Sequence, residues 1–145
     1  MLVKGGWPLF SDGTVRPAIE GAFQTPTGAW QEATFLLDAG ADRTVLHSRF
    51  LPLMSSLALP ASQAPLLAGV GGQAGCIFVQ TRLRFVSDDQ SYLFINGPFG
   101  IFTDAASSDI SVLGRDVTNN FDVIYSYRKG EVLLRAPPHR YSTSM

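Results

Sequence analysis

The sequence has few of the residues that bind metals or form disulfide bonds. Its 145 residues include one cysteine, Cys76, and two histidines, His47 and His139. A single cysteine cannot form an intrachain disulfide, which favours a reducing compartment, and we expect a cytoplasmic protein. Because these three residues lack the spacing of a zinc site, we expect no metal and no other cofactor.

Charged residues are also scarce, and their signs are balanced. They make up 16% of the chain, and the formal net charge is -1. The basic residues do not cluster as they do in proteins that bind nucleic acid or a membrane surface. No apolar run approaches the length of a bilayer span, and the N-terminal residues lack the apolar segment of a signal peptide. We therefore expect neither nucleic acid nor membrane among the partners.

Long stretches of helical periodicity are missing as well. Fourteen glycines and nine prolines interrupt the chain, while 46% of the residues are hydrophobic, enough for the core of one domain. This combination predicts mainly β structure. We expect a loose N-terminal arm over residues 1–14, one domain over 15–135 and a flexible tail over 136–145.

The apolar and turn-forming residues predict a series of short strands. The predicted strands cover residues 16–23, 29–38, 75–86, 91–95, 122–127 and 131–135, with a turn at 96–100 and a short helix at 115–120. In the segment 75–86, alternation of apolar and polar residues indicates a half-buried strand. Glycines at 69, 71 and 72 precede it and predict a glycine-tipped hairpin.

One carboxylate stands where a buried strand is expected to end. Asp38 follows the apolar residues 35–37 (FLL) and precedes the small residues 39–41 (AGA). Small residues allow another backbone or a ligand to come close, and a carboxylate in such a place is a candidate functional group. The alternative is an aspartate that only caps a turn before a glycine.

Three segments of the chain resemble one family in the same order. LLDAGADRTVL at 36–46 resembles the active-site segment of the retropepsin-like aspartic proteases. GVGG at 69–72 resembles the tip of the family's flap, and VLGRD at 112–116 resembles the segment that precedes its C-terminal helix. The resemblance implies an all-β fold, the retropepsin-like half-lobe barrel, with a glycine-tipped flap hairpin and one short C-terminal helix.

The resemblance implies an aspartic endopeptidase. In this chemistry two facing carboxylates share one proton: the ionised one takes a proton from water, and the protonated one hydrogen-bonds the scissile carbonyl. The chain has one Asp triplet of this kind, so the second carboxylate is expected from Asp38 of a second copy in a homodimer. The implied substrate is a peptide or protein in extended conformation.

The resemblance also assigns binding and bracing residues. The implied substrate-binding residues, which would bind an extended peptide as an added strand, are Gly40, Ala41, Asp42, Gly69, Val70, Gly71 and Gly72. Asp42 and Arg115 are expected to form an ion pair that holds the active-site loop to the helix. For either residue alone, a solvated surface charge is the alternative.

Two features depart from the compact viral members of the family. Ala39 stands where the family has Thr or Ser, whose hydroxyl bonds across the dimer beneath the active site. An alternative function is therefore a catalytically weak or inactive module that keeps the fold and dimerises or binds peptides. The C-terminal segment 121–134, FDVIYSYRKGEVLL, indicates a hairpin, as in cellular and bacterial members, where viral enzymes have a single terminal strand.

Overall fold

The computed structural model describes residues 1–64, 75–104 and 110–137. These residues form nine strands, two short α-helices and three single turns of 3-10 helix. The strands are β1 (Leu2–Gly5), β2 (Ala18–Gln24), β3 (Trp30–Leu37), β4 (Val45–Leu46), β5 (Cys76–Val86), β6 (Tyr92–Phe102), β7 (Ser111–Leu113), β8 (Asp122–Ser126) and β9 (Glu131–Arg135). The helices are α1 (Leu51–Met54) and α2 (Arg115–Thr118), and the 3-10 turns are Ser48–Phe50, Ser55–Leu57 and Ala61–Gln63. The predicted all-β class is confirmed.

Six strands close into a barrel in the order β2-β3-β7-β4-β6-β5. Alternation places every second side chain inside it. Leu83 and Phe85 of β5 are fully buried, whereas Arg82, the residue before Leu83, is exposed. The rings of Phe35 and Phe85 pack across the interior with their centres 5.9 Å apart. Burial of these large rings is the main stabilising contribution to the barrel.

The pairing around β7 positions the loop that follows β3. β3 runs parallel to β7, with Leu37 opposite Leu113, and β4 lies on the other side of β7, with Val45 opposite Val112. The chain therefore leaves β3, passes the end of β7 as the loop 38–44, and returns as β4. This path brings the loop against α2, which begins just after β7.

A second sheet has the order β1-β9-β8. Val3 of β1 pairs with Leu134 of β9, and both side chains are at most 1% exposed. The expectation of a loose arm over 1–14 is therefore wrong for Leu2–Gly5. A four-residue segment has too little alternation to predict a strand, and its partner lies at the other end of the chain. The hairpin predicted at 121–134 is present as β8 and β9.

The turn predicted at 96–100 is also wrong, because β6 runs through it. Asn96 pairs with Arg82, and Pro98 pairs with Gln80. β4 borders β6 only at Gly100 and Ile101, so the missing N–H of Pro98 interrupts no pairing with β4. The predicted flap tip at 69–72 and the tail residues 138–145 lie outside the described residues. No helix in the described part of the chain is long and apolar enough to cross a membrane.

Candidate active site

Asp38 stands at the end of β3, in a turn built from its own backbone and side chain. Its N–H donates to the Leu113 carbonyl at 3.2 Å, which continues the pairing of β3 with β7 for one residue. Its carbonyl accepts from Ala41 N–H at 3.1 Å, and its Oδ1 accepts from Gly40 N–H at 2.9 Å. Its side chain is half-buried. Asp38 thus caps a turn. Its Oδ2 makes no hydrogen bond within the described part of the chain, so this oxygen is available to bind a water molecule or a ligand.

Arg115 braces the loop from the start of α2. Its Nη2 bonds to Oδ1 of Asp42, and its Nη1 donates to the Ala39 carbonyl at 2.6 Å. The backbone N–H of Arg115 also donates to the Ala41 carbonyl at 2.9 Å. The side chains of Arg115 and Asp42 are 42% and 40% exposed, so solvent screens their charges. The pair therefore acts more through the geometry of its hydrogen bonds than through Coulomb energy.

A second brace, formed by Thr44 and Asp116, has no counterpart in the sequence-based site. The Asp116 carboxylate accepts from Thr44 N–H at 3.0 Å and from the Thr44 hydroxyl at 2.8 Å. The same hydroxyl oxygen accepts from Gly114 N–H at 3.0 Å. Thr44 is 0% exposed, so these bonds form away from water, where losing one leaves a buried polar group unsatisfied. Sequence reasoning missed this pairing because nothing in the local sequence of Thr44 or Asp116 distinguishes either from a surface polar residue.

Gly114 allows the start of α2 to pack directly against the backbone of the loop 38–44. A Cβ at this position would lie 2.5 Å from the Arg43 carbonyl carbon and 2.6 Å from its oxygen. Backbone atoms cannot move aside as a flexible side-chain tip can. The glycine of VLGRD is therefore required by the close contact between the loop 38–44 and the start of α2.

Tyr125 of β8 lies near Asp38, although sequence reasoning gave it no role. Burial raises the pKa of its phenol, and the negative charge of Asp38 raises it further. Its ring packs edge-to-face against Trp7, with ring centres 6.3 Å apart, and Trp7 packs in the same way against Tyr127, with ring centres 5.2 Å apart. The only sequence signal was that Tyr125 belongs to a strand. The neighbour it meets is decided by the tertiary fold.

The structure brings one group of the predicted site residues together. Gly40, Ala41 and Asp42 surround Asp38 in one turn, and Arg115 contacts that turn. The predicted flap residues Gly69, Val70, Gly71 and Gly72 lie outside the described residues. Within the described residues, no group of three or more His, Cys, Asp or Glu is arranged to hold a metal ion.

Comparisons with known proteins identify the fold. No family model and no curated protein sequence matches the chain. Among solved structures, a retropepsin-like aspartic protease from Rickettsia conorii is similar at a TM-score of 0.53 and 14% identity, over 94% of this chain and 91% of that one. EIAV protease, solved in complex with the inhibitor HBY-793, is similar at a TM-score of 0.45 and 21% identity, over 72% of this chain and 86% of that one. The chain has a retropepsin-like fold.

Proposed function

We propose that the chain is an aspartic endopeptidase that works as a homodimer, with one Asp38 from each copy. The observation that carries the proposal is the placement of Asp38 in a retropepsin-like fold, at a strand end, in a turn fixed by α2. A turn braced by Arg115 and Asp116 holds the carboxylate in one position, as catalysis by a fixed pair of groups requires. Its Oδ2, which makes no hydrogen bond within the described residues, is available to a water molecule or a substrate.

The reaction needs the two carboxylates to share one proton. The ionised Asp38 accepts a proton from a water molecule, and the water oxygen attacks the peptide carbonyl carbon. The protonated Asp38 donates a hydrogen bond to the carbonyl oxygen and stabilises the charge that develops there. When the tetrahedral intermediate collapses, its C–N bond breaks and the amine nitrogen takes the proton that the first Asp38 accepted from water, which leaves the pair with one proton again. The two ionisations belong to the pair, because each carboxylate changes the charge seen by the other.

Substrate would bind as an extended strand along the active-site turn. The N–H groups of Gly40 and Ala41 are occupied by Asp38. The N–H of Asp42 makes no hydrogen bond within the described part of the chain, so we assign it to a substrate carbonyl. The opposite side of the substrate is assigned to backbone groups of residues 69–72. The lone Cys76 supports the cytoplasm as the site of action.

The second sheet supports the dimer. β8 pairs with β9 on one side, and in the described sheet its other edge has no neighbouring strand. The unpaired N–H and C=O groups of a strand edge can pair with a strand of another chain. In a two-fold symmetric dimer, β8 of one copy would pair with β8 of the other. Tyr125 connects this edge with the neighbourhood of Asp38, because the Asp38 charge acts on its phenol.

The test combines an activity assay with a substitution that replaces the Asp38 carboxylate by a neutral amide. A mixed peptide library is incubated with the protein between about pH 4 and 7, where a dyad holds a single proton. We expect the parent to cleave internal peptide bonds and Asp38→Asn to be inactive. Asp12→Asn, which alters an exposed Asp-Gly pair in a loop, serves as the control and should retain activity.

The result that overturns the proposal is lack of cleavage by a parent protein that sedimentation shows to be a folded dimer. That outcome favours the inactive peptide-binding or dimerisation module. A folded protein that is strictly monomeric would overturn the dimer and, with it, the dyad. Cleavage that survives Asp38→Asn would assign the activity to other groups.

A further inference from the structure

The outer face of the barrel carries a group of side chains that the proposed active site does not use. We call it the arginine–aromatic cluster. Its members are Trp30, Arg82, Arg84, Tyr92 and Phe94. Strand pairing places them side by side, because Arg84 stands opposite Phe94 on β6 and opposite Ala22 on β2.

Both arginines of the cluster are stacked on rings. The Arg84 guanidinium carbon lies 4.6 Å from the ring centre of Trp30 and 4.7 Å from that of Tyr92. Arg82 lies 4.6 Å from the ring centre of Phe94. Trp30 also reaches Phe94, with ring centres 5.7 Å apart, although β2 and β5 lie between their strands. The stacking fixes two side chains that are usually mobile, which lowers the entropy cost of binding an anion.

Neither arginine of the cluster forms an ion pair within the described residues. In the described part of the chain the ion pairs are made by Arg16 and Arg115, not by Arg82 or Arg84. Beside the guanidinium groups, Val86, Tyr92 and Phe94 are 46%, 54% and 43% exposed. Exposed aromatic rings beside arginines are typical of protein interfaces. The surface thus combines fixed positive charge with apolar area.

We propose that the arginine–aromatic cluster binds an extended acidic segment of a partner protein. Arg82 and Arg84 stand two residues apart on one face of β5, about 7 Å from each other along the strand. Carboxylates at positions i and i+2 of an extended segment have the same spacing, so each meets one guanidinium group. An apolar or aromatic residue next to them would cover Val86 and Tyr92. This surface lies outside the proposed active site, and the inference does not depend on it.

The cluster fits a protein better than a nucleic acid. Bases bind by stacking on open ring faces, and here guanidinium groups already cover faces of Trp30, Tyr92 and Phe94. Glu20 and Glu32 line a cleft together with Arg84 on the β2 side, where a continuous phosphate backbone would be repelled. On the β6 side, the residues opposite Arg84 and Arg82 are Phe94 and Asn96, so a short acidic segment placed there meets no carboxylate from β6.

The binding test uses the whole chain with Asp38→Asn, so that cleavage cannot consume the probe. The probe is a fluorescent peptide with two glutamates two residues apart next to a tyrosine, and the matched peptide has glutamines. Fluorescence anisotropy should show binding of the acidic peptide only. Arg82→Glu with Arg84→Glu should weaken it by about tenfold or more, the effect of losing at least one charge-assisted bond. Arg128→Glu with Lys129→Glu, in the exposed turn between β8 and β9, changes the net charge by the same amount and should bind as the chain with Arg82 and Arg84 intact does.

A reversed pair tests the same contact with the charges exchanged. A peptide with two lysines in place of the glutamates should bind the doubly substituted chain and not the parent. Arg82→Lys with Arg84→Lys keeps the charge but loses the planar stacking, and should bind with intermediate strength. The proposal is wrong if the Asp38→Asn chain with Arg82 and Arg84 intact does not bind the acidic peptide at peptide concentrations up to about 1 mM, because a specific contact should give a Kd below that value. Equal binding by the parent and the doubly substituted chain, or tighter binding of oligothymidine than of the peptide, also overturns it.

Discussion

At the scale of single residues, the pKa of Tyr125 is a probe of the charge on Asp38. The structure places the phenol where burial and that charge both raise its pKa. Asp38→Asn removes the charge and keeps the size, so we expect the pKa of Tyr125 to fall toward the ordinary tyrosine value in that variant. NMR can follow the titration through the ring signals of Tyr125, which are assigned as the signals that are absent from the spectrum of Tyr125→Phe. An unchanged pKa would show that Tyr125 and Asp38 do not interact.

The same shift sets a direction for stability at alkaline pH. A raised pKa means that the folded state favours the neutral phenol. The resulting stability is fully present below the unfolded-state pKa of about 10 and is lost as the pH rises through the higher folded-state pKa. Tyr125→Phe should remove this part of the alkaline loss.

Gly114 is a residue at which the addition of one methyl group should have a large effect on stability. Gly114→Ala puts a methyl group against the Arg43 backbone, and we expect a loss of about 3 kcal/mol or more in the free energy of unfolding. Urea unfolding followed by circular dichroism measures the loss. Gly6→Ala is the matched control, because a Cβ there meets its nearest neighbour, the Gly130 carbonyl oxygen, at 3.7 Å. Equal effects of the two substitutions would contradict the role assigned to Gly114.

Particular residues show what the sequence could predict about the site. Asp42 and Arg115 were expected as a pair from the resemblance, and the structure places them in contact. Thr44 and Asp116 were not paired, since nothing in their local sequence distinguishes them from surface polar residues. Tyr125 was missed for the same reason: its role depends on a neighbour that folding brings from another strand.

At the scale of elements, the junction between the loop 38–44 and α2 depends more on a hydroxyl than on an ion pair. Thr44→Val removes a buried hydroxyl that bonds both Asp116 and Gly114, so we expect a loss of about 2–3 kcal/mol. Arg115→Ala breaks a pair that is two-fifths exposed, so we expect about 1 kcal/mol or less. Thermal or urea unfolding of both variants gives the order. A larger loss in Arg115→Ala than in Thr44→Val would mean that the ion pair is the main brace.

The elements that were predicted correctly are those with a local pattern. β5 was recognised from alternation and runs from Cys76 to Val86, and the hairpin of β8 and β9 was recognised from two apolar runs around a polar turn. β4, with two residues, has no periodicity to detect. β6 was divided at residues 96–100 because asparagine, glycine and proline favour turns locally. Pairing with β5 along its whole length outweighs that preference.

At the scale of the whole molecule, three short motifs were enough to predict the fold but not its second sheet. The motifs fix the barrel around Asp38, which the sequence locates at a strand end. The sheet β1-β9-β8 joins the two ends of the chain, and contacts this distant along the sequence leave no local signal. This sheet is also where the chain differs from a fold with one terminal strand. Within the described residues, β8 has β9 on one side and no strand on the other.

The proposed homodimer predicts how activity falls when active and inactive chains are mixed. Parent and Asp38→Asn chains are unfolded together, refolded and assayed at a constant total concentration. If both carboxylates are needed, only dimers of two parent chains are active, so activity should fall as the square of the parent fraction, to about one quarter in an equal mixture. Chains that act singly would give a linear fall, to about one half, because each parent chain would keep its own activity. Diluting the parent with Asp12→Asn in the same way should leave the activity unchanged, which separates the loss of Asp38 from any effect of refolding.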